Sequence, residues 1–312
     1  MNTELEQIGS LQPAQRGAGL KYVLITPARN EAKYIELTIK SMVAQTVLPL
    51  RWMIVSDGST DGTDEIVNKY LPEHPWMELL QMPEHQERNF AGKVHAFNAG
   101  YARVKDLDFD VIGNLDGDVA FDEEYYDFLL GKFAENPRLG VVGTPFKEGS
   151  FQYDYNFTSI EHVSGQCQLF RRKCFEEIGG YLPRKIGGID SVAVMSARMK
   201  GWQTRTFVEK TFDHFRAMGS ATTQSARTAA FKLGRADYVL GTHPVWQLFR
   251  CIYKMMKPPY GVVGGFCLLA GFVWAAVTRA EKDVPDDMVK FRRAEEMRRS
   301  RAIIKRMVTG GR

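Results

Sequence analysis

Phe109-Asp110-Val111-Ile112-Gly113-Asn114-Leu115-Asp116-Gly117-Asp118 joins a short apolar run to two carboxylates around a glycine. The run reads as a buried strand, and the acids fall where such a strand ends. Two carboxylates so placed can hold a hard divalent cation through oxygen ligands, and that cation can grip a diphosphate. Alone, an Asp-x-Asp turn is a weak signal, because solvated loops contain many.

Upstream, the same pattern recurs. Lys21-Tyr22-Val23-Leu24-Ile25-Thr26 is an apolar, β-branched run that breaks at Pro27-Ala28-Arg29-Asn30-Glu31. Behind it Ile35, Ile39, Met42 and Val43 share one helical face. Arg51-Trp52-Met53-Ile54-Val55 breaks at Ser56-Asp57-Gly58-Ser59-Thr60-Asp61-Gly62-Thr63, and a helix is expected from about Asp64 to Tyr70. Glu78 to Gln81 reads as a third strand and Asp110 to Leu115 as a fourth. Strands alternating with helices imply an α/β fold around a mostly parallel sheet, flanked by helices. Ligands of such sheets bind beyond the strands' carboxyl ends, where all three polar clusters lie.

These segments resemble the ordered motifs of family 2 glycosyltransferases of GT-A (Rossmann-like) fold. The matching stretches are Thr26 to Glu31, Val55 to Thr63, Asp116-Gly117-Asp118, and between them Ala91-Gly92-Lys93-Val94-His95-Ala96-Phe97-Asn98-Ala99-Gly100. The resemblance covers about residues 20 to 215. It implies an inverting enzyme that moves a sugar from a UDP- or GDP-linked donor to an acceptor hydroxyl, with Mg²⁺ or Mn²⁺ as cofactor. It assigns nucleotide-sugar binding to Pro27, Arg29, Glu31, Asp57, Lys93, Asp116 and Arg216, and metal binding to Asp116, Asp118 and His214. For Glu31 there is also a plain structural role, since Asn30 and Glu31 suit a helix N-terminus. Asp61 and Asp64 read as turn and cap residues, and Asn98 as a helix-packing group.

In the second half, Gly187-Gly188-Ile189-Asp190-Ser191 leads into a helix through Arg198 and Gly201. Asp190 matches the second acid of the family's acid pair, and Ile189 replaces the first. The resemblance makes Asp190 the general base; as a bare residue it would cap a helix starting near Ser191. Leu169 to Tyr181 fits the approach to that site. A strand-like Arg205 to Val208 precedes Thr211-Phe212-Asp213-His214-Phe215-Arg216.

Composition sets further bounds. Net charge +4 makes no case for nucleic acid. The four cysteines, Cys167, Cys174, Cys251 and Cys267, have neither metal nor disulfide spacing, which fits a reducing compartment. Residues 1–19 read as a flexible polar tail without the apolar core of a secretion signal. No G-x-G-x-x-G follows the first strand, which removes a nucleotide-linked dehydrogenase.

Residues 20–235 are expected to form the catalytic domain, with a nucleotide-sugar half to 120 and an acceptor half beyond. Residues 236–280 read as an amphipathic and apolar membrane-associating segment, and 281–312 as a basic helix. Tyr260 to Val277 is uncharged throughout and reaches the lower limit for a span. Lys254 and Lys257 precede it and Arg279 and Lys282 follow, so cations at both ends favour a re-entrant or interfacial hairpin over a simple crossing. The expected location is the cytoplasmic face of the plasma membrane, peripheral or monotopic. The acceptor is expected to be a cell-surface polysaccharide or lipid-linked glycan. The alternatives are a polyprenyl-phosphate glycosyl transferase or a non-catalytic nucleotide-sugar-binding protein.

Overall fold

The structure is a computed structural model that describes residues 19–84, 90–148, 158–184, 187–216, 226–257 and 261–308. The expected N-terminal tail, except Gly19, and the Pro258-Pro259-Tyr260 break lie outside these residues. The described chain falls into two compact units, one up to Pro183 with Ile189–Phe215, the other Arg184–Gly188 with the residues from Arg216 onward.

The first unit runs β1 (Tyr22–Ala28), α1 (Ile35–Val43), β2 (Arg51–Asp57), α2 (Thr63–Tyr70), β3 (Met77–Met82), α3 (Phe90–Val104) and β4 (Val111–Leu115). It continues with β5 (Val119–Ala120), α4 (Tyr125–Glu135), β6 (Leu139–Gly143), β7 (Phe146–Lys147), β8 (Cys167–Arg171), α5 (Arg172–Glu177), α6 (Ile189–Met199), β9 (Gln203–Thr206) and β10 (Phe212–His214). The main sheet has the order β3-β2-β1-β4-β8-β6-β9. Only β8 runs against its neighbours; all other adjacent pairs are parallel. A small second sheet has the order β5-β10-β7.

β1 and β4 are buried on both faces, so they read as apolar runs rather than alternations. Period-2 geometry still sorts their side chains. Leu24, Trp52 and Ile54 face Ile35, Ile39, Leu129 and Phe133 of α1 and α4. Val23, Ile25, Met53 and Val55 face Val94 and Phe97 of α3 on the opposite side. Gly113 is needed in β4, where a Cβ would overlap Leu169 of β8 and Leu24 of β1.

Helix α1 starts later than its sequence suggests. Its N-cap is Tyr34, and the Glu31 carbonyl accepts from the Tyr34 and Ile35 amides, each at 2.9 Å. Asn30 and Glu31 are not its caps; they tie the β1 loop to the β2 loop. Asn30, with φ 56°, accepts from the Thr60 amide at 2.9 Å, and Thr63 Oγ1 accepts from the Glu31 amide at 2.8 Å. Asp61 is the turn residue expected: Oδ1 accepts from the Thr63 amide and Oδ2 from the Ala32 amide. Asp64 is inside the first turn of α2, whose N-cap is Gly62. Asn98 is exposed on α3, so it does not pack the helix.

The second unit comprises α7 (Ala226–Val239), α8 (Pro244–Met255), α9 (Gly261–Val277) and α10 (Asp286–Val308). Helix α7 groups with these helices instead of ending the catalytic domain near residue 235. α9 packs along α7 and α8. Gly234 and Gly271 set that approach, since a Cβ on either would overlap the backbone carbonyl of Leu268 or Phe231. Among the described residues no helix is long and apolar enough to cross a membrane.

Candidate active site

The polar clusters gather past the carboxyl edge of β1, β2 and β4. Asp116 leaves β4 held by its neighbours: its amide donates to the Gln166 carbonyl at 2.8 Å, and Oδ1 accepts from Asn114 Nδ2 at 2.8 Å. Lys93, in the first turn of α3, closes on the same oxygen at 2.6 Å. Burial would pull the Lys93 ammonium down, but Asp116 above all, with Asp190 and Asp118, outweighs it and raises its affinity for the proton. Three carboxylates, two from the turn after β4 and one from α6, therefore act on one ammonium.

Asp190 reaches this centre through a glycine. Gly165 lies against it so closely that a Cβ there would sit 2.8 Å from the Asp190 Cβ and 3.2 Å from Oδ2. The Gly165 carbonyl accepts from Asn114 Nδ2 at 2.6 Å. The segment Ser164-Gly165-Gln166 thus runs between the two acids. Asp190 is the second residue of α6, whose first is Ile189, so it does not cap a helix starting at Ser191.

Glu31 is buried over the Asp116–Asp118 turn. A Cβ on Gly117 would meet its Cγ at 3.3 Å and Ile35 Cδ1 at 3.0 Å, so the turn packs tightly against Glu31 and Ile35. Asp57 ends β2 and is buried, and Pro27 and Arg29 are half-buried at the end of β1. Arg216 falls in the second unit.

The small sheet delivers His214. Pairing of β10 with β5 sets His214 opposite Val119, and the Phe215 amide donates to the Asp118 carbonyl at 2.9 Å. His214 Nε2 is 3.7 Å from Asp118 Oδ2, while Nδ1 is 3.0 Å from Glu148 Oε2. A carboxylate behind one imidazole nitrogen, with the other turned to a second carboxylate, is how proteins orient a metal-ligating histidine. Asp118 and His214 therefore fit a divalent cation, whereas Asp116 is engaged by Lys93. Among the described residues no cluster of three or more His, Cys, Asp or Glu side chains gathers as a complete metal site.

Sequence reasoning missed Asn114, Ser164, Gln166 and Glu148. Asn114 Oδ1, Ser164 Oγ and Gln166 Oε1 are buried without a hydrogen-bond partner among the described residues, so three acceptors stand unused beside Asp116 and Asp190. The only signal in the sequence is Gly165-Gln166 directly before an apolar run. Glu148 has none, because its link to His214 spans two separate strands.

A mostly parallel sheet with one reversed strand, an Asp-x-Asp turn past its edge and an acid-headed helix facing that turn defines the GT-A class of glycosyltransferases. The chain belongs to Glycosyl transferase family 2, whose profile matches residues 23–189. It is 32% identical over 118 residues to the chondroitin synthase of Pasteurella multocida (strain Pm70), covering 38% of this chain and 11% of that protein. It is 26% identical over 185 residues to the poly-beta-1,6-N-acetyl-D-glucosamine synthase of Staphylococcus epidermidis, covering 53% of this chain and 42% of that one. The chain thus spans less than half the length of these relatives. In structure it is similar to the mannosyltransferase PcManGT from Pyrobaculum calidifontis, solved with GDP-Man and Mn²⁺, at a TM-score of 0.55 and 19% identity over 85% of this chain and 77% of that one. It is also similar to S. aureus TarS 1–349, solved with UDP-GlcNAc, at a TM-score of 0.54 and 14% identity over 93% and 92% of the two chains.

Proposed function

We propose that this chain transfers a sugar, with inversion, from a nucleoside-diphosphate sugar to an acceptor hydroxyl in the synthesis of a cell-surface polysaccharide or lipid-linked glycan. The observation that carries this reading is the convergence of Asp116, Asp118 and Asp190 on Lys93, with the Gly165 backbone packed directly against Asp190. Asp190 accepts the proton of the acceptor hydroxyl. The acceptor oxygen forms its bond to the anomeric carbon as the bond to the phosphate oxygen breaks, and the electron pair leaves with the diphosphate. One base opposite one leaving group gives inversion; no second carboxylate is needed as an acid, in contrast to hydrolysis.

Lys93 is placed to trade part of its pairing with Asp116 for the departing diphosphate, whose growing charge it stabilises. Asp118 and His214 would hold Mg²⁺ or Mn²⁺, with Glu148 fixing the imidazole; when bound, that ion supplies further positive charge to the diphosphate. Asp57, Glu31, Pro27 and Arg29 are assigned to the nucleoside side, because they line the β1 and β2 loops that the Asn30–Thr60 and Glu31–Thr63 bonds hold together.

The test is a screen of UDP- and GDP-linked sugars for diphosphate release, with a membrane extract as acceptor. Release from one donor that disappears in Asp190→Asn supports the assignment. No release from any donor, with no donor bound, would exclude it. Asp118→Ala is expected to lose most activity, and excess chelator likewise; full turnover in chelator would leave a transferase that works without the ion.

A further inference from the structure

Helix α9 presents to solvent a face that a soluble helix would not tolerate. Its exposed residues are Val262, Val263, Phe266, Ala270, Val273, Trp274, Ala276 and Val277, and every one is apolar. At 100° per residue they occupy an arc of roughly 160°, over a length of about 22 Å. The exposure is large: 60% for Phe266, 56% for Trp274 and 74% for Val277. The opposite arc holds Gly264, Gly265, Leu268, Gly271, Phe272 and Ala275, all buried.

The helix cannot roll to hide the exposed arc. Its glycine face meets α7 and α8 at backbone distance: Gly271 abuts the Phe231 carbonyl and Gly265 the Cys251 carbonyl, where larger side chains would overlap. Helix α8, packed along α9, exposes a second stripe at Val245, Leu248 and Ile252, continued by its C-cap residue Met256.

Charge identifies the occupant of this face. Among the described residues of the second unit, exposed Lys and Arg outnumber exposed Asp and Glu by nine to four. Lys257 and Arg279 stand just before and just after α9, and α7 exposes Arg227, Lys232 and Arg235. A second copy of this chain would bring the same cations against its own, which disfavours a self-contact. Anionic headgroups are attracted by them, while Trp274 and Phe266 suit the headgroup–acyl boundary.

We propose that α8 and α9 form a rigid, in-plane docking surface for an anionic lipid bilayer, which the exposed face of α9 enters to the depth of its side chains without crossing. The proposal concerns the second unit only and stands or falls independently of the sugar-transfer chemistry.

Flotation of the purified full chain with vesicles tests it, using phosphatidylcholine alone and phosphatidylcholine mixed with phosphatidylglycerol. The full chain is expected to float with both, more strongly with the mixture, and high salt is expected to remove only the difference between them. Phe266→Asp with Trp274→Asp is expected to lower vesicle partitioning by at least tenfold, with nucleotide-sugar binding retained. Because two aspartates could unfold the unit, Trp274→Phe gives a second readout. Brominated acyl chains should quench tryptophan emission in the wild type, and this quenching should largely vanish in Trp274→Phe while flotation persists. Failure of the full chain to float with either vesicle would overturn the proposal. So would equal quenching in wild type and Trp274→Phe, or a dimer in vesicle-free solution that the double aspartate variant converts to monomer.

Discussion

Asp190 and Lys93 do different work, and substitution separates them. Asp190→Asn keeps the shape that fits against Gly165 but cannot take a proton. Turnover is expected to fall about 10²–10⁴-fold, with donor affinity measured by calorimetry nearly unchanged; wild-type turnover would make Asp190 purely structural. Lys93→Met removes the ammonium that pairs with Asp116 at 2.6 Å. Loss of a charge-assisted hydrogen bond of this kind is worth about 1.5–3 kcal/mol, so donor binding is expected to weaken by about 10- to 100-fold. A variant that bound donor as the wild type does would place the diphosphate away from Lys93. Of these residues, sequence names Asp116, Asp118, Asp190 and Lys93 through their ordered motifs. It cannot name Glu148, which meets His214 across 66 positions of sequence, nor Asn114, whose side chain ties Asp116 to Gly165. Such contacts depend on which strands become neighbours, and no local pattern carries that.

At the scale of elements, burial controls what sequence can reveal. β1, β2 and β4 are enclosed on both faces, so their continuous apolar runs stand out. The reversed direction of β8 leaves no such trace, because Cys167 to Arg171 is nearly as buried as β4 and β6 on either side of it. The start of α1 is misleading in the sequence because Asn30 spends its capping side chain on the Thr60 amide of the neighbouring loop, and the Glu31 amide donates to Thr63 Oγ1 there. Helix glycines divide on the same principle. Gly271 of α9 touches the α7 backbone, whereas a Cβ added to Gly131 of α4 would have nothing within 4 Å. Gly271→Ala is therefore expected to destabilise the helical unit by about 1–3 kcal/mol through overpacking. Gly131→Ala should stabilise the catalytic unit by about 0.5–1 kcal/mol through helix propensity. Urea unfolding of the two variants checks both signs, and equal shifts would refute the distinction.

At the scale of the whole molecule, the two units carry titrating groups of opposite sign. In the catalytic unit, burial pushes the Cys174 thiol up to about 12 and the Tyr22, Tyr125, Tyr126 and Tyr181 hydroxyls well above their ordinary range. These groups stay protonated in the folded chain while the unfolded chain loses protons above 9.0 for cysteine and 10.0 for tyrosine. Folding stability of that unit therefore falls as pH rises through that range, by about 1.4 kcal/mol per pH unit for each group once it is fully in play. In the helical unit, burial, reinforced by arginine neighbours, pulls Lys254 and Lys282 down to about 8 from an ordinary 10.5. Between those values the folded unit sheds protons that the unfolded chain keeps, so these two groups add stability as pH rises from 8 to 10.5. Cys251, pushed up to about 11 by burial, opposes them above 9.0, one thiol against two lysines. Pulse proteolysis in urea, with fragments assigned by mass spectrometry, follows each unit separately. From neutral pH to about pH 10.5 the midpoint for fragments of the sheet is expected to drop steeply, while that for fragments of α7 to α10 holds or rises. Parallel loss in both would mean that the two lysines keep their protons in the folded chain and that their burial costs less than their surroundings imply.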